Sequence, residues 1–264
     1  MKSNAVGTWE SATGNLRSLV AGIDDWDVQS TCPGWTIGDV IAHTIDLESM
    51  LAADPRPDHT PDWSAMPHIT SDFGRMTEIG VDYRRGRSHE ELLTELADAH
   101  ARARERVESM DDDATIPWLR GDTPISVLLS MRTFDIWVHE QDIRVATDRP
   151  GNLDGPGAAN ALAYLTAGLP KVWGKQVGAP IGSVLHVTIT EPGLTGEYWV
   201  RVNEDGKAAL VDEMPADVSV TLPWLAFVML TGGRSIKDGV TEGVVVVGDD
   251  ELGNRFVDSM AVTP

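Results

Sequence analysis

The chain of 264 residues has a single cysteine, Cys32, and about half as many basic as acidic residues, 21 against 41. One cysteine excludes an internal disulfide framework and any zinc site built on two or more thiolates of the same chain. The longest unbroken apolar run, Trp224 to Leu230, is far short of the roughly 18 residues that a membrane span needs. The first four residues have no apolar segment behind their charge, so no secretory signal is predicted and a cytoplasmic protein is expected.

The deficit of basic residues gives a formal net charge of −20, and both halves of the chain are acidic. Nucleic acids and anionic lipid surfaces are bound by basic surfaces, so neither is predicted as a partner. Hydrophobic residues make up 42% of the chain, which favours a packed core over disorder. This length predicts either one large domain or two ordinary ones.

The first part of the chain, to about residue 148, is predicted to be helical because its apolar residues recur at spacings near 3.6. Thr36 is predicted to cap a helix, with Asp39 three residues further on. Pro124 is predicted to lie in the first turn of the last helix, where its missing N–H costs nothing. The predicted helices cover residues 4–23, 36–53, 70–85, 88–110 and 123–147.

The pattern changes after a segment rich in proline and glycine at residues 149–157, which is predicted to be the linker. Beyond Gly182 the apolar residues alternate with a period of two, as in β-strands. Strands are predicted at 183–190, 197–203, 208–211, 218–222 and 244–247, and helices at 158–176, 223–230 and 250–260. The sequence therefore predicts a helical bundle over residues 1–150 and a smaller α+β domain over 151–264.

Two of the predicted bundle helices carry polar residues on faces expected to be buried. His43 shares a face with Val40 and Leu47, and Asp135 lies one turn before His139. One carboxylate and two imidazoles supply three metal ligands and leave further positions for water or substrate, as in catalytic sites. From spacing alone two alternatives remain: a hydrogen-bonded core histidine, and an Asp–His pair on a solvated helix face.

Two segments of the sequence carry motifs of a known family. Residues 32–43, with the pattern P-G-W-T-x-x-D-x-x-A-H, resemble a signature of the mycothiol-dependent maleylpyruvate isomerase family, within the DinB-like bundles. Residues 131–144 resemble its second signature, an acidic residue, three spacers, a histidine and a nearby aspartate. The order of bundle and α+β domain also fits this family, so the resemblance covers essentially the whole chain.

The resemblance implies a DinB-like four-helix bundle with a divalent metal held by His43, Asp135 and His139, followed by a sterol-carrier-like C-terminal domain. It also implies mycothiol, a small sugar–cysteine thiol, as cofactor. Zinc is the expected metal, and nickel, cobalt and iron are compatible with the ligand set. The isomerase itself has glutamate where this chain has Asp135, which is one methylene shorter, so the metal and the isomerisation of maleylpyruvate stay open.

The function predicted from the sequence is that of a metal-dependent enzyme that uses a small thiol. It would act as an isomerase or an S-transferase on a small electrophile. Two other interpretations remain open: a non-catalytic protein that binds a lipid or another small molecule, and a hydrolase whose metal activates water. The sequence leaves the substrate and the oligomeric state open.

Further residues are predicted to support the site. Asp142 is predicted to orient a ligand or to pair with a nearby arginine. Asp46 is predicted either to accept the other ring proton of His43 or to make only a local contact three residues along its helix. Arg234, in a Gly-Gly-Arg segment, is predicted to bind a substrate carboxylate or to tie the two domains together.

Cys32 is not predicted to be a nucleophile, because spacing identifies no base to activate it, and Glu140 is predicted to be solvated. The remaining histidines are predicted to be surface or packing residues: His59, His68, His89, His100 and His186.

Overall fold

A computed structural model of the protein describes residues 2–66, 69, 71–118, 121–234 and 242–263. The chain forms two compact units, Met1–Gly151 and Asn152–Pro264. His68, and Thr70 at the predicted start of the third helix, lie outside the described residues. In the described part of the chain, no helix combines the length and the hydropathy needed to cross a membrane.

The first unit is built on long helices, as predicted. Helix α1 packs against α5, and α2 packs against α3 and α4. Their apolar faces form one core that includes the fully buried Trp9, Ile41 and Leu96. The helices are α1 (Lys2–Val20), α2 (Ile37–Leu51), α3 (Asp72–Asp82), α4 (His89–Glu108) and α5 (Ile125–Ala146).

The start of α2 is set by a turn and a cap. Gly34 has a φ of +79°, a left-handed conformation that a residue with a Cβ adopts only at a cost. The Thr36 hydroxyl then accepts the backbone N–H of Asp39, and the Asp39 carboxylate accepts the backbone N–H of Thr36. This reciprocal capping box confirms the predicted cap and fixes where the helix that carries His43 begins.

A hairpin before α5 was not predicted. Strand β1 (Thr115–Trp118) pairs antiparallel with β2 (Gly121–Pro124). Pro124 therefore ends a strand, and the prediction that it lies in the first turn of the helix is wrong. The φ of −56° that its ring imposes suits both conformations, and pairing with the strand that buries Ile116 decides between them.

The second unit is a mixed sheet with helices. The strand order is β5-β4-β3-β6-β7, with β3 and β6 parallel and the other pairs antiparallel. The strands are β3 (Val184–Thr190), β4 (Gly196–Val202), β5 (Ala208–Val211), β6 (Val218–Pro223) and β7 (Val245–Gly248). The predicted strands are confirmed, with ends shifted by no more than one residue.

Helices cover the buried face of this sheet. Leu185, Val187 and Ile189 of β3 are buried, whereas the alternate residues are half-buried. The helices are α6 (Pro156–Thr166), α7 (Leu169–Lys171), which continues as a π-helical turn (Val172–Gln176), α8 (Trp224–Thr231) and α9 (Asp250–Asp258). The predicted α+β class is confirmed, and the likeness to sterol-carrier proteins stays a prediction.

The single helix predicted over residues 158–176 is wrong, because the chain leaves the helix after Thr166. Gly168 lies at this break, and a Cβ placed there would lie 2.6 Å from a side-chain atom of Val262. The chain can pack this closely against its C-terminal segment only with a glycine at residue 168. The apolar periodicity continues through this position, so it does not reveal the break.

Candidate metal centre

Helices α2 and α5 bring His43, Asp135 and His139 together. The Nε2 atom of His43 lies 3.5 Å from Oδ2 of Asp135, and the Nε2 atom of His139 lies 3.7 Å from Oδ1 of the same carboxylate. One ligand atom from each of the three residues lies within 4.8 Å of the other two. Two tetrahedral zinc ligands, each about 2.1 Å from the ion, are roughly 3.4 Å apart. Three side chains of these types, this close together, could hold a metal ion.

The cluster is largely buried. His43 and His139 are 4% and 7% exposed, and the side chain of Asp135 is 29% exposed. The indole of Trp35 packs against both imidazoles, with ring centroids 4.8 Å and 5.9 Å away. Asp135 is therefore the member of the cluster that is most exposed to solvent, whereas the Trp35 ring covers part of both imidazoles.

The environment favours the protonation states that bind a cation. Burial lowers the pKa of His43 below its ordinary value, and this effect exceeds the opposing attraction of Asp135. Burial alone would raise the pKa of Asp135, but the His43 imidazole and the Arg132 guanidinium hold it far below its usual range. A neutral imidazole and an ionised carboxylate are the forms that coordinate a metal.

A further carboxylate holds the His139 ring. The buried Asp142 carboxylate lies 3.0 Å from Nδ1 of His139 and accepts the Thr31 hydroxyl at 2.5 Å. A carboxylate on the second nitrogen fixes the tautomer and the orientation of a ligating imidazole. The structure therefore places Asp142 where it can orient His139, and the guanidinium of Arg144 donates to Glu140 at 2.7 Å.

Two neighbouring predictions differ from the structure. The Asp46 carboxylate does not face His43: its oxygens lie 2.9 Å from Arg56 and 3.4 Å from Arg84. The buried Nδ1 of His43 has no hydrogen-bond partner among the described residues. Two arginines outcompete a neutral imidazole for one carboxylate. Glu140 is fully buried rather than solvated, because its pair with Arg144 compensates its charge.

The structure also brings Cys32 to His139. A ligand atom of Cys32 lies within 4.8 Å of ligand atoms of His139 and Asp142. Sequence spacing could not show this, because Cys32 is in the turn before α2 and the other two residues are on α5. His139 thus belongs to two overlapping groups of potential ligands.

A set of buried and half-buried residues next to the centre was not predicted from the sequence. It consists of Trp9, Glu48, His100 and Arg132, which we call the Glu48 cluster, and it adjoins Asp135 through Arg132. The sequence does contain a signal for this set: two charged residues stand at helix positions where the periodicity predicts an apolar residue. Arg132 lies one turn after Leu128, and Glu48 lies one turn after Ile45.

Arg234 lies in the second unit, directly after α8. Its backbone N–H bonds to the carbonyl of Met229, and its guanidinium donates to the carbonyl of Gly232. The predicted contact with a substrate carboxylate stays a prediction.

Comparisons with known proteins agree with this architecture. Two crystal structures, of the mycothiol-dependent maleylpyruvate isomerase and of its histidine-to-alanine mutant, are similar, with TM-scores of 0.56 and 0.57 at 18% and 17% identity. Each comparison covers 93% of this chain and 92% of the other. A search of curated proteins gave no match. Residues 9–144, more than half of the chain, match the family described as the mycothiol maleylpyruvate isomerase N-terminal domain, and the chain therefore belongs to this family.

Proposed function

We propose that the protein is a divalent-metal-dependent enzyme that uses a small thiol, mycothiol, either to isomerise a small electrophile or, as an S-transferase, to join the thiol to it. One observation carries the proposal: two helices bring His43, Asp135 and His139 into mutual ligand distance. Membership of the family supports mycothiol as the thiol. Zinc suits two imidazoles and a carboxylate best, and cobalt, nickel and iron are also compatible.

A cation at this centre would stabilise the thiolate form of a thiol bound to it, which makes the thiol a nucleophile at neutral pH. The chain then needs no nucleophile of its own. His43, kept neutral by burial, and the ionised Asp135 serve as ligands. Asp142 holds the ring of His139 from its other nitrogen, while Trp35 shields both imidazoles from water.

Arg234 is the residue we propose for a substrate carboxylate, since a guanidinium binds a carboxylate through two parallel hydrogen bonds. This role is separate from the metal centre. An Arg234→Lys variant is expected to raise KM for a carboxylate substrate and to leave the metal content unchanged.

The experiment combines elemental analysis with a thiol-dependent assay. Purified wild-type protein is expected to hold about one equivalent of metal, and His43→Ala to lose it because a ligand is removed. His186→Ala is the matched control, because His186 stacks on Trp199 in the second unit, with ring centroids 4.3 Å apart. Turnover of maleylpyruvate, or of a chloronitroaromatic electrophile, should require mycothiol.

Other outcomes would contradict the proposal. Hydrolysis of an ester without added thiol would favour a metal hydrolase. Co-purified lipid with no turnover in either assay would favour a binding protein. Equal metal content in wild type and His43→Ala would exclude this metal centre.

A further inference from the structure

Arg132 connects the candidate ligand Asp135 to the interior of the helical unit. It is 2% exposed and lies one turn before Asp135 on α5. Its Nη1 donates to Oδ2 of Asp135 at 2.6 Å. Its Nε and Nη2 donate to Oε1 of Glu48 at 3.2 Å and 3.0 Å. The guanidinium therefore bridges two carboxylates, one at the centre and one in the core.

Glu48 is held by three helices besides its own α2. Its Oε1 also accepts the indole N–H of Trp9 from α1 at 3.2 Å, and its Oε2 lies 2.9 Å from Nδ1 of His100 on α4. Glu48 is fully buried, and both its oxygens have partners. A carboxylate bound on both oxygens cannot rotate without breaking several hydrogen bonds, so Arg132 has a rigid anchor.

The bond from Arg132 has a consequence for Asp135. Because Arg132 donates to Oδ2, which also lies 3.5 Å from Nε2 of His43, rotation of the carboxylate is restricted, and Oδ1 lies on the side of His139. We propose that Arg132 is a positioning residue that makes Asp135 a ligand through one oxygen, and that the Glu48 cluster holds Arg132 in place for this. The inference rests on the cation site proposed above, and it adds how that site is kept in shape.

The pairing with Glu48 also limits how strongly Arg132 competes with a cation. An arginine that faced Asp135 alone would act as its only counter-ion, and a metal would have to displace it. With the Glu48 carboxylate on its other edge, the guanidinium is already neutralised and Asp135 keeps negative charge for the cation.

The test is a comparison of Arg132→Lys with Arg84→Lys. Lysine keeps the positive charge but has a single ammonium group. It therefore cannot bridge Glu48 and Asp135 with the fixed geometry of a guanidinium. Arg84 is the matched control, since it is also a buried arginine, 4% exposed, which pairs with Asp46 and Glu95. Zinc affinity is measured by competition with a chromophoric chelator, and the folding of each metal-free variant by circular dichroism and urea unfolding.

We expect Arg132→Lys to weaken zinc binding by about ten- to a hundredfold, the usual effect of removing a partner of a metal ligand. Arg84→Lys should lose a comparable amount of stability and keep the wild-type zinc affinity. Equal affinities for Arg132→Lys and wild type would overturn the inference and leave the metal centre standing. A wild-type protein that binds neither zinc nor cobalt would overturn both.

A second measurement uses cobalt in place of zinc. In the cobalt-loaded wild-type protein, a carboxylate that binds through one oxygen favours four-coordination, which gives intense visible absorption bands. A carboxylate that binds through both oxygens raises the coordination number and weakens these bands. Intense bands in wild type support the inference, whereas weak bands that Arg132→Lys does not change overturn it.

Discussion

His139 presents its two ring nitrogens to different groups of side chains. Nε2 faces Asp135, and Nδ1 faces Asp142. Since Cys32 also lies near His139 and Asp142, two ligand sets compete for the same imidazole. The set with His43 is completed by an ionised carboxylate that is partly open to solvent, whereas Asp142 is fully buried and already bonded to Thr31. We therefore assign the cation to the first set.

This assignment predicts different effects of two substitutions on metal content. Cys32→Ser should keep the wild-type zinc content, because its sulfur is not a ligand of the proposed centre, whereas His43→Ala should lose most of the metal. Elemental analysis of the dialysed proteins measures both. Loss of zinc in Cys32→Ser with retention in His43→Ala would move the centre to the group of Cys32, His139 and Asp142.

A second prediction concerns acid stability and Glu48. Burial alone would raise the pKa of Glu48, but the hydrogen bond with His100 and the charge of Arg132 hold it below its ordinary value. A depressed pKa in the folded state contributes stability above the pKa of the unfolded chain, about 4.3, and this contribution is lost as the pH falls further. At neutral pH, Glu48→Gln should cost about 3–5 kcal/mol, as for other broken buried ion pairs.

The test is urea unfolding of wild type and Glu48→Gln between pH 7 and pH 3.5. The difference in free energy of unfolding should be constant down to about pH 4.3 and then shrink, since the wild-type glutamate takes up a proton in the unfolded chain before it does so in the folded protein. Glu91→Gln is the control, because Glu91 is exposed and its hydrogen bonds with Ser88 belong to the cap of α4. A difference between wild type and Glu48→Gln that does not change with pH would exclude an ionised Glu48 in the folded protein.

At the scale of elements, the packing of α3 on α2 depends on one glycine. A Cβ built on the buried Gly80 would lie 2.1 Å from the Asp46 carboxylate carbon. Asp46 cannot yield easily, because it is 2% exposed and held by Arg56 and Arg84. The helices approach this closely only with no side chain at residue 80.

We expect Gly80→Ala to destabilise the protein by about 1–3 kcal/mol, the usual cost of overpacking. Gly14→Ala is the matched control: Gly14 is an exposed glycine of α1, and its Cβ would meet nothing within 4 Å. That change should stabilise the helix by about 0.4–1 kcal/mol. Urea unfolding measures the free energy of unfolding of both variants. Equal changes in the two variants would show that Asp46 moves away from the added methyl group without loss of stability.

Elements with a local signal could be predicted from the sequence, and elements decided by tertiary contacts could not. The cap at Thr36 rests on two side chains three residues apart, so the sequence contains all of its determinants. The hairpin before α5 depends on pairing between two strands, and the break at Gly168 depends on Val262, more than 90 residues away in the chain. Apolar periodicity carries no information on either.

The candidate site shows the same division. Asp135 and His139 share a helix face, so their proximity follows from spacing, while the family motif was needed to bring His43 to them. The Glu48 cluster joins four helices, and no single segment reveals it. Asp46 was assigned to His43 from its spacing alone, but arginines from outside the motif take up its carboxylate.

At the scale of the whole molecule, the two units differ in what their interiors contain. The first unit buries charged residues in pairs, among them Arg84 with Asp46 and Arg132 with Glu48. Among the described residues of the second unit, none of the buried ones is charged. Buried charge is costly without partners, and each of these residues is paired. The candidate ligands His43, Asp135 and His139 all lie in the first unit.

The boundary between the units has a defined place in the chain. Up to Gly151 the chain is tied to the first unit, because Arg149 donates to the carbonyl of Gly22 and Gln141 donates to the carbonyl of Gly151. From Leu153 it is tied to the second unit, where the indole N–H of Trp224 donates to the Leu153 carbonyl. A cut after Gly151 therefore breaks none of these hydrogen bonds.

We expect a fragment of residues 1–151 to fold and to bind about one equivalent of zinc, because His43, Asp135, His139 and the Glu48 cluster all lie within it. Circular dichroism and elemental analysis measure this, with the same fragment carrying His43→Ala as the control that should lose the metal. If Arg234 binds substrate as proposed, the fragment should have no thiol-dependent turnover, since it ends before that residue. A folded fragment without zinc, beside a full-length protein that holds it, would show that the second unit supplies part of the centre.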